Sequence, residues 1–547
     1  MSGGISISQW LIRALKERNV DHVFGIPGDY ALGLFRDLEH SDLQLINTCD
    51  EQGAGFAADA YARVRGLGVV AVTYGVGGLK LVNSTAQAYA ERSPVVVISG
   101  APGVGEIHGD AQLHHKVRDF GTQMRVFREI TAAQCVLNDP RTAPREIARV
   151  LAVAEETRRP VYIEIPRDCV DASIPPHAAT ELEQPEQARV DPAALAEAID
   201  EAVTMLNTAD NPMLLLGVEV HRFGLQDAVI KLISKSRIRF ATTIMGKSVV
   251  NEELPGFCGV YAGSLSNEMT RAAVESSDCV LSLGAMMTDL NTGIFTAELE
   301  PSRMIQAQAD AVRIRRHQYP GIDLTTFLHA LNDATLRERD SLPPSSHAGV
   351  PTFSPAAEQP ITIERVFDCL EATLTEEVAV IADPGDALFG AIDLTIHSRT
   401  EFIACAYYAS LGFAVPGAIA MELAEPHWRP LVLVGDGAFQ MTGMELTTAV
   451  RYGLSPIVIV LDNSGYGTER PMLDGAFNDV QRWHIAALTD LLQAGQAWEV
   501  HDEQAFAGAL EAALKDKDTL GLIHVRLAAD DFSPALRRLT SNLKKRV

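Results

Sequence analysis

Residues 431–470 read LVLVGDGAFQMTGMELTTAVRYGLSPIVIVLDNSGYGTER, a stretch that concentrates oxygen donors suited to a hard cation. An apolar run ends at Gly435-Asp436-Gly437, a helical stretch follows, and a second apolar run ends at Asp462-Asn463. Asp436 offers a carboxylate oxygen, Asn463 an amide oxygen and Gly465 a backbone carbonyl. Such a set suits magnesium, which keeps its other positions for phosphate oxygens and water. Glycines at 435 and 437 let the backbone approach a diphosphate closely. The plainer alternative is a strand–turn–helix in which Asp436 only caps a helix N-terminus. The 25 residues between Gly437 and Asn463, with both elements following apolar strands, favour the cation. Other groups could move protons: the adjacent pair His114-His115, Glu51, Asp29 in an I-P-G-D turn, and Glu469 beside Arg470. Taken singly, each has an ordinary reading as a surface charge, a turn residue or a first-turn helix acid.

These residues need elements to hold them. HVFGI (22–26), QLINT (44–48), VVAVTY (69–74), VVVIS (95–99) and VYIEI (161–165) read as strands, apolar throughout as in sheets covered on both faces. Amphipathic stretches at 6–19, 53–65, 80–92 and 142–157 read as helices. A polar, acidic stretch, 177–192, looks like a linker. The pattern resumes with runs at 213–218, 239–243, 279–284 and 304–308. A Pro- and Ser-rich stretch, 340–360, marks a second boundary, followed by runs at 378–382, 431–435, 457–462 and 522–527. Strand–helix alternation implies right-handed βαβ units and mainly parallel sheets. Three α/β domains fit the 547 residues.

Composition narrows the partners. Lys and Arg number 46 against 71 Asp and Glu, a net charge of −25, which repels a phosphate backbone and argues against nucleic acid. The seven cysteines are scattered without a C-x-x-C pair, so zinc and a disulfide framework are not expected and a reducing cytoplasm is. The N-terminus lacks the pattern of a signal peptide, and no apolar run approaches the ~18 residues that would span a membrane. No strand is followed by G-x-G-x-x-G with an acid about 20 residues on, which excludes a dinucleotide-binding dehydrogenase fingerprint.

The G-D-G and Asn463 spacing resembles the thiamine-diphosphate signature, with Asp462 replacing the first of its two asparagines. FGIPGDY (24–30), CDEQGAGFAADAYAR (49–63), AYAERSPVVVISGAP (88–102) and QLHHKV (112–117) extend the likeness. Over essentially its whole length the chain resembles the thiamine-diphosphate-dependent 2-keto acid decarboxylases, the group of pyruvate, indolepyruvate and phenylpyruvate decarboxylases. The resemblance implies a pyrimidine-binding domain (1–180), a Rossmann-like middle domain (190–340) and a diphosphate-binding domain (358–547). Each would have a mainly parallel sheet flanked by helices. It also implies thiamine diphosphate, Mg2+ on Asp436, Asn463 and Gly465, and Gly435, Gly437 and Ala438 against the diphosphate. Glu51 would hydrogen-bond the aminopyrimidine, with Asp386 nearby. Leu411 would wedge the cofactor into a bent shape, and the Ala409 carbonyl would accept from its amino group. Asp29, His114, His115 and Glu469 would relay protons and guide the aldehyde out. Two chains would build each site, so a homodimer is the minimum and a tetramer is expected.

Departures from pyruvate-specific relatives concern the substrate pocket. Pro384 stands for a threonine, Leu388 for a tryptophan, Leu290 for a tyrosine, and Thr468 for an isoleucine or valine. Smaller side chains predict room for a bulky 2-keto acid, unless the C-terminal helix near 532–547 refills it. The rivals are an acetolactate-synthase-like carboligase and a catalytically silent cofactor-binding homologue. The His pair and Glu469 argue against the first, and Glu51 together with Glu469 against the second.

Overall fold

The computed structural model describes residues 4–179, 190–347, 349, 352–356, 358–397 and 402–543. Three sheets organise them. The first runs, in spatial order, Gln44–Asn47, His22–Ile26, Gly68–Val72, Val95–Ala101, Val161–Pro166 and Ala133–Val136, all parallel. The second is centred on Cys279–Leu283 and Pro212–Leu216, and ends on one side in an antiparallel pair, Ala311–Ile314 and His317–Pro320. The third runs Phe402–Ala404, Val378–Ala382, Arg429–Gly435, Ile457–Asp462, Gly521–Arg526 and Gln496–Val500, again all parallel. Each apolar run read from the sequence is one of these strands, to within a few residues at its ends.

Six strands had no such run: Ala133–Val136, Phe257–Val260, Ala311–Ile314, His317–Pro320, Phe402–Ala404 and Gln496–Val500. All lie at or next to a sheet edge; some, such as QAWEV, are partly solvated and carry charge, while others, such as Phe402–Ala404, are too short to show a pattern. The helix expected at 80–92 is Val82–Ala90, with an unexpected short helix, Val76–Lys80, just before it. The first helix, Ile7–Lys16, starts on a capping box: Ser6 Oγ accepts from the Gln9 amide (3.2 Å) and Gln9 Oε1 from the Ser6 amide (3.1 Å). Of the expected linkers and C-terminal helix, residues 180–189, 348, 350, 351, 357 and 544–547 lie outside the described residues.

The chain forms two compact units that do not follow the three blocks. Residues 412–428 and 442–456, from within the third block, cluster with the N-terminal block; the remainder of the third block clusters with the middle one. In the first unit, Glu51–Arg65 is rich in Ala and Gly, so another helix, Ala414–Ala424, packs closely on it. The Phe56 and Phe413 rings meet edge to face at 5.9 Å, and the Arg63 guanidinium lies 4.9 Å from the Phe413 ring. In the second unit a fully buried ion pair, Lys247–Glu252 (2.9 Å), reaches the third block's chain. Lys247 donates to the Leu394 carbonyl (2.5 Å), and Glu252 accepts from the Ile396 amide (3.0 Å).

Candidate active site

In the second unit, a cavity of about 440 Å³ is lined from the ends of Val378–Ala382, Arg429–Gly435 and Ile457–Asp462, at the carboxyl edge where parallel sheets bind ligands. Every site residue expected from the C-terminal and middle blocks lines it. Gly435, Asp436, Gly437 and Ala438 come from one strand end, and Asn463, Gly465, Thr468 and Glu469 from the next. Pro384, Asp386 and Leu388 come from a third, Ala409 and Leu411 from a loop, and Leu290 from the middle block.

Asp436 opens a helix, Asp436–Thr442, and its Oδ1 accepts from the adjacent Gly437 amide (2.9 Å), a local bond that leaves its charge unmatched. The carboxyl is buried, and no basic side chain pairs with it among the described residues. Burial, and Asp462 beside it, push Asp436 up to about 7. Asp462 differs. Burial raises it, but the hydrogen bond with His524 (2.8 Å) and the charge of Arg526 hold it below the usual carboxylate range. The unmatched acid is therefore the one facing the cavity.

Three glycines beside it leave no room for a side chain of their own. A Cβ at Gly437 would lie 2.8 Å from the Tyr466 ring, and one at Gly467 2.4 Å from Asn463 Nδ2. At Gly465, where φ is +151°, a Cβ would fall 2.0 Å from the Asn478 carbonyl. An unpaired buried carboxylate, an amide and a glycine backbone thus fit a hard cation and a diphosphate. Ala409 holds φ +57°, an uncommon left-handed conformation for a residue with a Cβ. Asp386 is buried and accepts from the Ser533 amide (2.8 Å) and hydroxyl; burial pushes it up to about 6.

Leu290, Pro384, Leu388 and Thr468 line one cavity together. Ile294, Met472, Leu536 and Leu539, which the sequence reading had not placed there, share its wall. The last two belong to the C-terminal helix Pro534–Leu543, so that helix refills part of the space the small side chains open.

The first unit holds the other expected residues. The strand Gln44–Asn47 ends before Glu51, which is the first residue of its helix rather than a residue preceding it. Its side chain is 12% exposed and pairs with Lys80 (2.8 Å), which also pairs with Asp50. His114 Nε2 lies 2.9 Å from Asp29 Oδ2, and the His114 and His115 rings meet edge to face at 4.6 Å. Tyr30 stacks on His114 at 5.0 Å and donates to its carbonyl (3.1 Å). Ligand atoms of Asp29, His114 and His115 all lie within 4.8 Å of one another.

Sequence reasoning missed Glu445. This buried acid accepts from the amides of Cys49 (3.1 Å) and Asp50 (3.0 Å), fixing the turn into Glu51. Gly53 is required beside it, because a Cβ there would lie 2.1 Å from Glu445 Oε1. The available signal was an acid inside the apolar stretch GMELTTAV.

Three family models match the chain: thiamine pyrophosphate enzyme, N-terminal TPP binding domain (residues 5–124), central domain (199–332) and C-terminal TPP binding domain (387–525). The chain is 37% identical to an indole-3-pyruvate decarboxylase of Azospirillum brasilense, covering 99% of each chain. It is 32% identical to pyruvate decarboxylase isozyme 2 of Saccharomyces cerevisiae, over 94% of this chain and 93% of the other. It is also 32% identical to an alpha-keto-acid decarboxylase of Mycobacterium tuberculosis, over 98% and 97%.

Proposed function

The chain belongs to the thiamine-diphosphate-dependent 2-keto acid decarboxylases, and from that premise we propose that it converts a bulky 2-keto acid to an aldehyde and carbon dioxide with the help of Mg2+. The observation that carries this reading is the single cavity that gathers Asp436, Asn463 and Gly465 with four pocket positions of reduced size. Bound thiamine diphosphate supplies the electron sink for the bond that breaks as carbon dioxide leaves.

The chain's own residues do the rest. Asp436, Asn463 and the Gly465 carbonyl hold the metal, while Gly435, Gly437 and Ala438 flank the diphosphate. Glu51 would hydrogen-bond the aminopyrimidine ring, Leu411 would wedge against the bound cofactor, and the Ala409 carbonyl would accept a hydrogen bond from its amino group. His114, with Asp29 on its Nε2, then holds and moves a proton together with His115 and Glu469.

An aliphatic wall of Leu290, Ile294, Leu388, Met472, Leu536 and Leu539 favours an aromatic, branched or long-chain substrate such as phenylpyruvate or indolepyruvate. About 100 Å² of extra apolar substrate surface contributes about 2.5 kcal/mol at ~25 cal/mol per Å², close to two powers of ten in efficiency. The assembly we propose is at least a homodimer, with a tetramer expected, in which one chain's acid–base groups serve another chain's cavity. Exposed apolar side chains support it: Leu473 (68%), Phe477 (67%) and Met441 (51%). Domain limits of 1–180, 190–340 and 358–547 and a cytoplasmic location complete the reading. Seven free thiols suit that location.

The test is aldehyde formation from a panel of 2-oxo acids, with Mg2+ and thiamine diphosphate added. Phenylpyruvate or indolepyruvate should give a higher kcat/KM than pyruvate. A tenfold preference for pyruvate would defeat the substrate assignment, and acetolactate as the main product would defeat the reaction.

A further inference from the structure

Behind the histidine pair lies a buried polar chain that the proposed mechanism does not use. Ser99, Gln123, Tyr162 and Glu164 are all less than 9% exposed. Tyr162 donates its hydroxyl to Glu164 Oε1 (2.7 Å), and Ser99 donates its own to the Gly100 carbonyl (2.8 Å). Both hydroxyls are thus spent as donors and can only accept from Gln123. The Gln123 Nε2 group satisfies both, at 2.5 Å from Tyr162 and 2.9 Å from Ser99. An amide held by its NH2 end must present its oxygen on the other side. There Gln123 Oε1 accepts from the Gly75 amide (2.7 Å).

Gly75 needs holding. Its φ of 71° and ψ of −93° suit glycine alone. A Cβ at Gly75 would lie 2.6 Å from the His115 carbonyl oxygen and 2.7 Å from the His115 Cβ. A Cβ at Gly78 would lie 2.4 Å from Gln123 Oε1, so the loop wraps the amide on both sides. His115 in turn holds φ 67°, which its neighbours must enforce.

We propose that Gln123 is a positioning residue for His115, acting through Gly75, with its amide orientation dictated by Ser99, Tyr162 and Glu164. The proposal rests on the reading of His115 as part of the proton relay. A polar chain that fixes one loop conformation prevents the histidine from drifting out of reach of the reacting carbon, and small displacements of this kind cost rate rather than affinity.

The test uses the full chain with Mg2+ and thiamine diphosphate, and compares Gln123→Met, Tyr162→Phe, His115→Gln and the doubles with His115→Gln. Gln123→Met should lower kcat at least tenfold, with KM and the cofactor Kd (from tryptophan fluorescence) unchanged within twofold. In the His115→Gln background it should slow turnover less than twofold further, because the two changes share one path. An unchanged kcat overturns the proposal, as does an equal loss in both backgrounds. Should Gln123→Met fail to fold, Tyr162→Phe in the same two backgrounds makes the same comparison. If His115→Gln alone leaves kcat unchanged, the relay role of His115 fails first and the positioning role falls with it. If His115→Gln is slow but Gln123→Met is not, only the positioning role fails.

Discussion

Asp436 and Asp462 end neighbouring strands, yet the protein treats their charges in opposite ways. Asp462 has Arg526 and His524, whereas Asp436 is buried, unpaired and pushed up to about 7. A proton on Asp436 competes with a metal, so cofactor and Mg2+ should bind more weakly as pH falls below about 7. The thermal shift produced by Mg2+ with thiamine diphosphate should therefore shrink from pH 8 to pH 5.5. Asp436→Asn should abolish that shift while leaving the unliganded protein folded. Glu164 gives the matching stability prediction. Burial raises it from 4.5 to about 7, so the native state keeps a proton that the unfolded chain has already lost. Its contribution to stability is complete below about pH 4.5 and vanishes as pH rises through about 7; its full size is on the order of 3 kcal/mol. Glu164→Gln should flatten the decline in urea midpoint between pH 5 and 7.5. A slope identical to that of the parent protein would refute this. The sequence disclosed Asp436 and Asn463 because their local spacing carries the chemistry. It did not disclose Glu445 or Gln123, whose partners at Cys49, Asp50 and Gly75 lie far away along the chain and leave no local pattern.

At the scale of elements, every interior strand but Ala311–Ile314 was legible, and of the edge strands only Gln44–Asn47 was. A strand such as Ile457–Asp462 is buried along its whole length and must be apolar. Gln496–Val500 has a neighbour on one side only and can carry Gln and Glu. The cavity was legible at its strand ends and illegible at its far wall, because nothing in Leu536 or Leu539 marks them as lining residues rather than core. Joins between elements are equally hidden. Lys247 and Glu252 form a buried pair that binds the backbone on either side of Thr395. Removing one partner strands a charge, so Lys247→Met should cost about 3–5 kcal/mol in chemical denaturation. The double variant Lys247→Met/Glu252→Leu should recover most of that loss. Glu445→Ala removes the acceptor of two part-buried amides ahead of Glu51, at about 1–3 kcal/mol for each hydrogen bond lost to a charged acceptor.

For the molecule as a whole, the net charge of −25 is compatible with a diphosphate ligand because the cavity offers the unmatched acid Asp436 to a cation, which would stand between the protein and the phosphates. Sedimentation of the full chain should show a dimer or tetramer, and Leu473→Glu with Phe477→Glu should shift it toward monomer with loss of turnover. A monomer that retains full activity would exclude shared sites. Residues 412–428 and 442–456 belong with the N-terminal unit although more than 200 residues of the other unit precede them. This arrangement sets a timetable for synthesis. When residue 186 leaves the ribosome, all six strands of the first sheet exist, but Glu51–Arg65 still lacks the helix Ala414–Ala424 that covers it. The nascent N-terminal block must wait, with an alanine- and glycine-lined face open to water, until more than 200 further residues have been translated. A fragment ending near residue 186 should therefore be collapsed and chaperone-dependent rather than an independent domain.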